Sequence, residues 1–119
     1  MIVAFEAADA ACDMNNEALS VGLGGDGEYL VLSRSASDVD DCGVYLEYKD
    51  QLHSGYEFIE NCVVTRACLN LALSMPLPSL PKVNRFRVAL NLSDVKYSEL
   101  QRVLRLIFRD RATVFTNEA

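Results

Sequence analysis

A chain of 119 residues, half of them hydrophobic and 24% charged, has the balance of a folded protein and too much apolar content for a disordered one. Its length suits one domain spanning residues 1–119 and leaves no room for a second core, and at this size a core forms without disulfides or metal. The net charge of −6 is unevenly placed: residues 1–62 hold thirteen acids against Arg34 and Lys49, and residues 63–119 hold nine bases against four acids. Such asymmetry produces a directional field that steers a charged partner.

The opening Met1-Ile2-Val3-Ala4-Phe5 is followed at once by Glu6 and Asp9, with no basic leader and no small-residue cleavage site, so it does not read as a signal peptide. No run approaches the ~20 apolar residues of a membrane-spanning helix. The expectation is a cytoplasmic protein that uses neither membrane nor export. Cys12, Cys42, Cys62 and Cys68 lack the paired spacing of a zinc site and have only His53 to join them. They are expected to be buried free thiols.

From Ala18 the pattern has period two, the sign of half-buried strands. Leu19, Val21 and Leu23 alternate with small residues, Gly24-Gly25-Asp26-Gly27 breaks the run, and Tyr29-Leu30-Val31-Leu32 resumes it. That is a hairpin, whose second strand reads as apolar on both faces. Residues 35–41 are polar and acidic, a loop. Val44, Leu46 and Tyr48 then share one strand face, with Tyr45, Glu47 and Lys49 on the other. Asp50 to Gly55 reads as a second loop, and alternation returns from Tyr56 through Cys62 and Val64, then at Leu69, Leu71 and Leu73.

Pro76, Pro78 and Pro81 mark a connection that is neither helix interior nor central strand. Phe86, Val88, Leu90 and Leu92 alternate with Arg85, Arg87, Ala89 and Asn91, giving a strand with a basic wet face. The period then lengthens: Leu100, Val103, Leu104 and Ile107 lie on one face of a helix predicted over 96–109, capped by Ser93 or Ser98. The tail from Ala112 carries Val114 and Phe115, which can pack, and is expected to fray at its end. The fold class is α+β: a mainly antiparallel sheet of six to seven strands packed against one C-terminal amphipathic helix.

No pattern points to catalysis. His53, the only histidine, sits in a polar stretch with no nucleophile signature near it. The glycines at 22–27 are followed by neither Lys-Ser/Thr nor a helix start, so they make a turn and not a phosphate cradle. Asp38, Asp40 and Asp41 lack the alternating donors and closing glutamate of a calcium loop. The six arginines at 85, 87, 102, 105, 109 and 111 sit in a chain whose net charge repels phosphates, so they are expected to pair with the acidic half or keep faces wet, not to bind nucleic acid. No cofactor motif is present.

One ordered set of elements resembles a known family. Tyr29-Leu-x-Leu-x-Arg34-Ser35, an acidic loop with Asp40, Gly43-x-Tyr45-Leu46-Glu47 and Asp50-Gln51-x-x-Ser54-Gly55-Tyr56 are similar to the tenth immunity-protein family of bacterial polymorphic toxin systems. Looser similarity runs through Val64-Thr65-Arg66, Leu69-x-Leu71-x-Leu73, the Phe86–Leu92 strand and the final helix, from about residue 18 to 108. The resemblance implies a small cytoplasmic protein that binds and neutralises a cognate toxin and has no catalysis of its own. An acidic surface suits a basic target such as a nuclease. Within that reading the partner-binding candidates are Asp38, Asp40, Asp41, Glu47, Asp50 and Tyr56, with Arg34 and Glu47 also readable as a structural pair across strands. The competing reading is a non-enzymatic binding or scaffold module, unrelated to toxins, that dimerises through an exposed strand edge.

Overall fold

The computed structural model describes residues 1–39 and 41–118, so the Asp40 candidate lies outside the described residues. In chain order the elements are β1 (Ile2–Ala7), β2 (Asp9–Met14), β3 (Ala18–Gly25), β4 (Glu28–Ser35), β5 (Tyr45–Tyr48), β6 (Asp50–Tyr56), β7 (Ile59–Val64), β8 (Cys68–Leu73), β9 (Arg85–Leu90), α1 (Asp94–Ile107) and β10 (Phe115–Asn117). The strands form two sheets of five. One is antiparallel throughout, in the order β2-β3-β4-β5-β6. The other, β1-β9-β8-β7-β10, is mixed, because its outer strands β1 and β10 run parallel to β9 and β7.

The α+β class, the dominance of antiparallel pairing and the C-terminal helix are as the sequence predicts. The described strands number ten, more than the periodicity reveals, and they divide between two sheets. Two short corners carry the chain between the sheets. Ala8, whose N–H donates to the Gly24 carbonyl at 3.1 Å, separates β1 from β2. At the other corner Glu57, with φ +62°, donates to the Val44 carbonyl at 2.9 Å before β7 begins. Gly25 lies beneath the first corner: a Cβ there would stand 2.5 Å from the Glu6 carbonyl oxygen, so the hairpin fits under β1 only with glycine. The β3–β4 turn places Asp26 at φ 43° and Gly27 at φ 82°, the left-handed pair that matches the twist of a two-residue hairpin.

Alternation decides which side chains are buried. Leu19, Val21, Leu23, Leu30, Leu32 and Leu46 face inward from the antiparallel sheet, and Leu69, Leu71, Phe86 and Val88 from the mixed one. The Tyr48 ring joins the two, with its centroid 5.1 Å from Phe86 and 6.2 Å from Phe5. The helix packs against β2, β3 and β4 and buries Tyr97, Leu100, Val103, Leu104 and Ile107. Ser93 is its N-cap, accepting from the Lys96 N–H at 3.2 Å, with Asp94 in the first turn and Arg105 in the last, as the helix dipole favours. Among the described residues no helix is long and apolar enough to cross a membrane.

Of the four thiols only Cys62 meets the expectation of burial; its pKa is pushed up to about 12 by the apolar surroundings. Cys12 and Cys68 are half-buried, and Cys42 is exposed because it lies in the loop between β4 and β5 and not on a strand face. The polar stretch at 50–55 is strand, not loop. It pairs with β5 through Ser54 and Gly55, and it is polar because it is an edge strand whose side chains face water or the proline-rich connection. There His53 Nδ1 lies 2.7 Å from Ser79 Oγ, and the Ser79 hydroxyl donates to the Leu52 carbonyl at 2.8 Å, which satisfies one backbone acceptor of that strand.

Candidate binding face on the antiparallel sheet

The inward alternation of β2 to β5 dictates the composition of the opposite face, and the register fixes its rows. One row runs Asp9, Gly24, Tyr29; the next Ala11, Gly22, Val31, Glu47, Ser54; the third Asp13, Ser20, Ser33, Tyr45, Tyr56. Small residues on β3 lower the middle of the sheet. Asp9, Ala11, Gly22, Gly24 and Tyr29 border a shallow groove of about 360 Å³ there. The acids in these rows are Asp9, Asp13 and Glu47, and none of the row positions is a lysine or arginine. Two bases border the rows: Lys96, whose Nζ stands 4.0 Å from Asp9, and Lys49, whose backbone N–H donates to the Tyr29 carbonyl at 3.0 Å.

Glu47 is the organised part of this face. Its Oε2 accepts the Tyr29 hydroxyl and its Oε1 the Tyr45 hydroxyl, each at 2.6 Å. The hydrogen bond to Glu47 pushes the Tyr29 phenol up to about 12 and raises that of Tyr45, since losing the proton would set two anions together. The Tyr56 ring packs on Tyr45 at 5.1 Å between centroids and remains half exposed. Two predicted site residues, Glu47 and Tyr56, are thus brought together by Tyr45.

The other candidates stand apart from them. Asp50 opens β6 at the far end of the β5–β6 hairpin, where its carboxylate accepts the Leu52 N–H at 2.9 Å. Asp38 is almost wholly solvated, its side chain 95% exposed, with Arg109 at 3.5 Å. Asp41 is not an exposed carboxylate. Its side chain is 13% exposed and engaged by the buried Arg34 guanidinium, with Nη2 at 2.8 Å and Nε at 3.1 Å. Nor do Arg34 and Glu47 pair: alternation puts Arg34 on the inner face and Glu47 on the outer one.

Arg34 is instead the centre of a chain of alternating charges. It holds Asp41, Asp110 at 2.6 Å and the Ile107 carbonyl at 2.9 Å. Arg109 bridges Asp38 and Asp41, and Arg111 bridges Asp110 and Glu57. The β4–β5 loop, the helix end and the second sheet-switching corner are fastened together there. Two of the six arginines at 85–111, Arg109 and Arg111, therefore do pair with the acidic half, as expected from their charge.

Hydrogen bonds from Arg34 hold the Asp110 and Asp41 carboxyls below the usual carboxylate range, assisted at Asp41 by the Gly43 N–H. A depressed folded-state pKa gives stability that is present above the unfolded value, near ~4, and lost as pH falls below it. The urea midpoint should therefore drop on acidification from pH 6 to pH 3. A variant carrying Asp41→Asn and Asp110→Asn should start lower and drop less. An equal drop in both chains would remove this pair from the acid response.

The other depressions in the surface lie along α1. One of about 240 Å³ is lined by Cys12, Met14, Glu99, Arg102 and Val103. The Cys12 thiol is raised there by burial and by Glu99, away from the thiolate that a nucleophile needs. Among the described residues no group of three or more His, Cys, Asp or Glu side chains is placed to hold a metal ion. Sequence reasoning put Tyr45 on the outer face beside Glu47 but did not single it out. Tyr29 reads there as part of an apolar run, and Asp9 and Asp13 lie on a strand whose apolar alternation is weak; the spacing 9, 11, 13 of outward residues is the available signal. No protein-family model, no curated protein and no solved structure matches this chain.

Proposed function

We propose that this chain is a non-catalytic immunity protein that neutralises a cognate bacterial toxin, and that it does so by laying the outer face of the antiparallel sheet on a basic surface of that toxin, such as a nuclease cleft. The observation that carries the reading is the composition of that face: Asp9, Asp13 and Glu47 interleaved with Tyr29, Tyr45 and Tyr56, with no base in the three rows. Tyrosine supplies large rigid contact area at interface hot spots, and complementary charge speeds encounter and rejects wrong partners. The motif resemblance supplies the class of partner. The acidic loop contributes less than its sequence suggests, because Asp41 is already neutralised within the chain.

Co-expression with the toxin encoded beside the gene tests this. The parent chain should rescue growth and co-purify with the toxin. Combined Asp9→Lys, Asp13→Lys and Glu47→Lys changes should weaken binding about a hundredfold or more, mostly in a salt-dependent way, because they place like charges across the interface. Asp38→Lys should change it little. Absence of rescue by the parent chain would reject the immunity assignment.

A second reading rests on β2, whose outer edge bounds the antiparallel sheet, whereas at the opposite edge the Leu52 carbonyl of β6 accepts from the Ser79 hydroxyl. An open edge of six residues can pair with a second copy of the chain. Sedimentation showing a dimer abolished by proline at Ala11 would favour this scaffold role.

A further inference from the structure

We propose that Glu47, framed by Tyr29, Tyr45 and Tyr56, is a receptor for an arginine side chain presented by the partner. The inference rests on the preceding reading that the outer sheet face is the contact surface, and it names what enters the best-organised point of that face.

An ionised carboxylate offers about four acceptor positions over its two oxygens. Tyr29 fills one on Oε2 and Tyr45 one on Oε1, so each oxygen keeps acceptor capacity, and the two bonds fix the carboxylate in place. Both donors are neutral phenols, which order the anion without cancelling its charge. Among the described residues no lysine or arginine forms an ion pair with Glu47, although six other acids of the chain do have such partners. The site is only half-exposed, with Val31 and Ser54 flanking Glu47 in its row. A cation entering it must therefore shed part of its hydration.

Those features select a guanidinium over an ammonium. A planar fork of N–H donors spans two carboxylate oxygens at once, stacks on aromatic faces and is weakly hydrated, whereas a lysine head is a compact and strongly hydrated point charge. The Tyr45 and Tyr56 rings, 5.1 Å apart and tilted by 54°, supply the aromatic neighbours. A partner that inserts arginine here gains a charge-assisted contact already organised before binding, which reduces the ordering cost of association.

The test is a nuclear magnetic resonance titration of the full chain with the blocked tripeptide acetyl-Gly-Arg-Gly-amide, set against its lysine and citrulline counterparts. The arginine peptide should give saturable shifts centred on Val31, Tyr45, Glu47, Ser54 and Tyr56, and should bind several-fold more tightly than the lysine peptide. Glu47→Gln should weaken it by about tenfold, the worth of a hydrogen bond to a charged group. Tyr56→Ala, at a half-exposed position, should weaken it by a smaller factor without disturbing the fold. Equal affinity for arginine and lysine, shifts centred on Asp9 or Asp13, or indifference to both substitutions would overturn the proposal. The titration is independent of any toxin: failure to rescue cells would reject the immunity reading while leaving this site standing, and rescue with no arginine preference would do the reverse.

Discussion

An Arg34→Met variant should lose about 3 kcal/mol of folding stability, the usual consequence of removing one partner from a buried charge pair. The guanidinium is 4% exposed and serves three acceptors at once. Methionine fills much of the volume but donates nothing. Asp41 would be left with the Gly43 N–H at 2.9 Å and Arg109 at 3.8 Å, and the Ile107 carbonyl, at the unsatisfied end of the helix, would lose its donor. Asp110 would suffer less, since 59% of its side chain is already in water. Urea unfolding monitored by circular dichroism gives the value directly. Arg111→Met, whose acidic partners are both substantially exposed, should cost less than about 1 kcal/mol. A loss at Arg34 no larger than at Arg111 would mean that burial adds nothing to this network.

Phe86→Ala should be at least as severe, costing about 3–5 kcal/mol, because it opens a cavity where the two sheets meet. The side chain is fully buried, lies on a strand flanked on both sides, and touches the Tyr48 ring of the other sheet. Both sheets contribute to one buried cluster, so the loss should appear as a single transition shifted to lower denaturant, with the near-ultraviolet tyrosine signal and the backbone signal moving together. Separate transitions for the two signals would show that the sheets melt independently.

The parts of the fold legible in the sequence are those where a strand buries one face and wets the other. β3, β5, β8 and β9 alternate cleanly, and the helix shows its apolar stripe. The strands that escaped notice lack that contrast. In β2 the inward residues are Ala10, Cys12 and Met14, small or only part-covered, and alanine is a weak strand former. β6 is polar because it is an edge, and β10 is three residues long. Parallel pairing at β1 and β10 depends on contacts with remote strands, which no local pattern encodes. The site was half legible for the same reason. Glu47 and Tyr56 announce themselves by type, but Asp41 and Glu47 look alike until burial decides that one carboxylate faces Arg34 and the other faces tyrosines.

The parallel seam between β1 and β9 has a consequence for how the chain reaches its native state. The Met1 ammonium bonds to Asn84, 83 positions away, and every residue of β1 pairs with a residue of β9. During synthesis at about 5–20 residues per second, the first strand therefore waits several seconds for its neighbour to exist. Val3 and Phe5 stay uncovered in that interval, while the β3–β4 hairpin can close locally. Folding should consequently be slow for a chain of this size, since long loops must close before the mixed sheet forms. Delay, more than marginal stability, is the cost of building the fold's outer strand from its earliest residues.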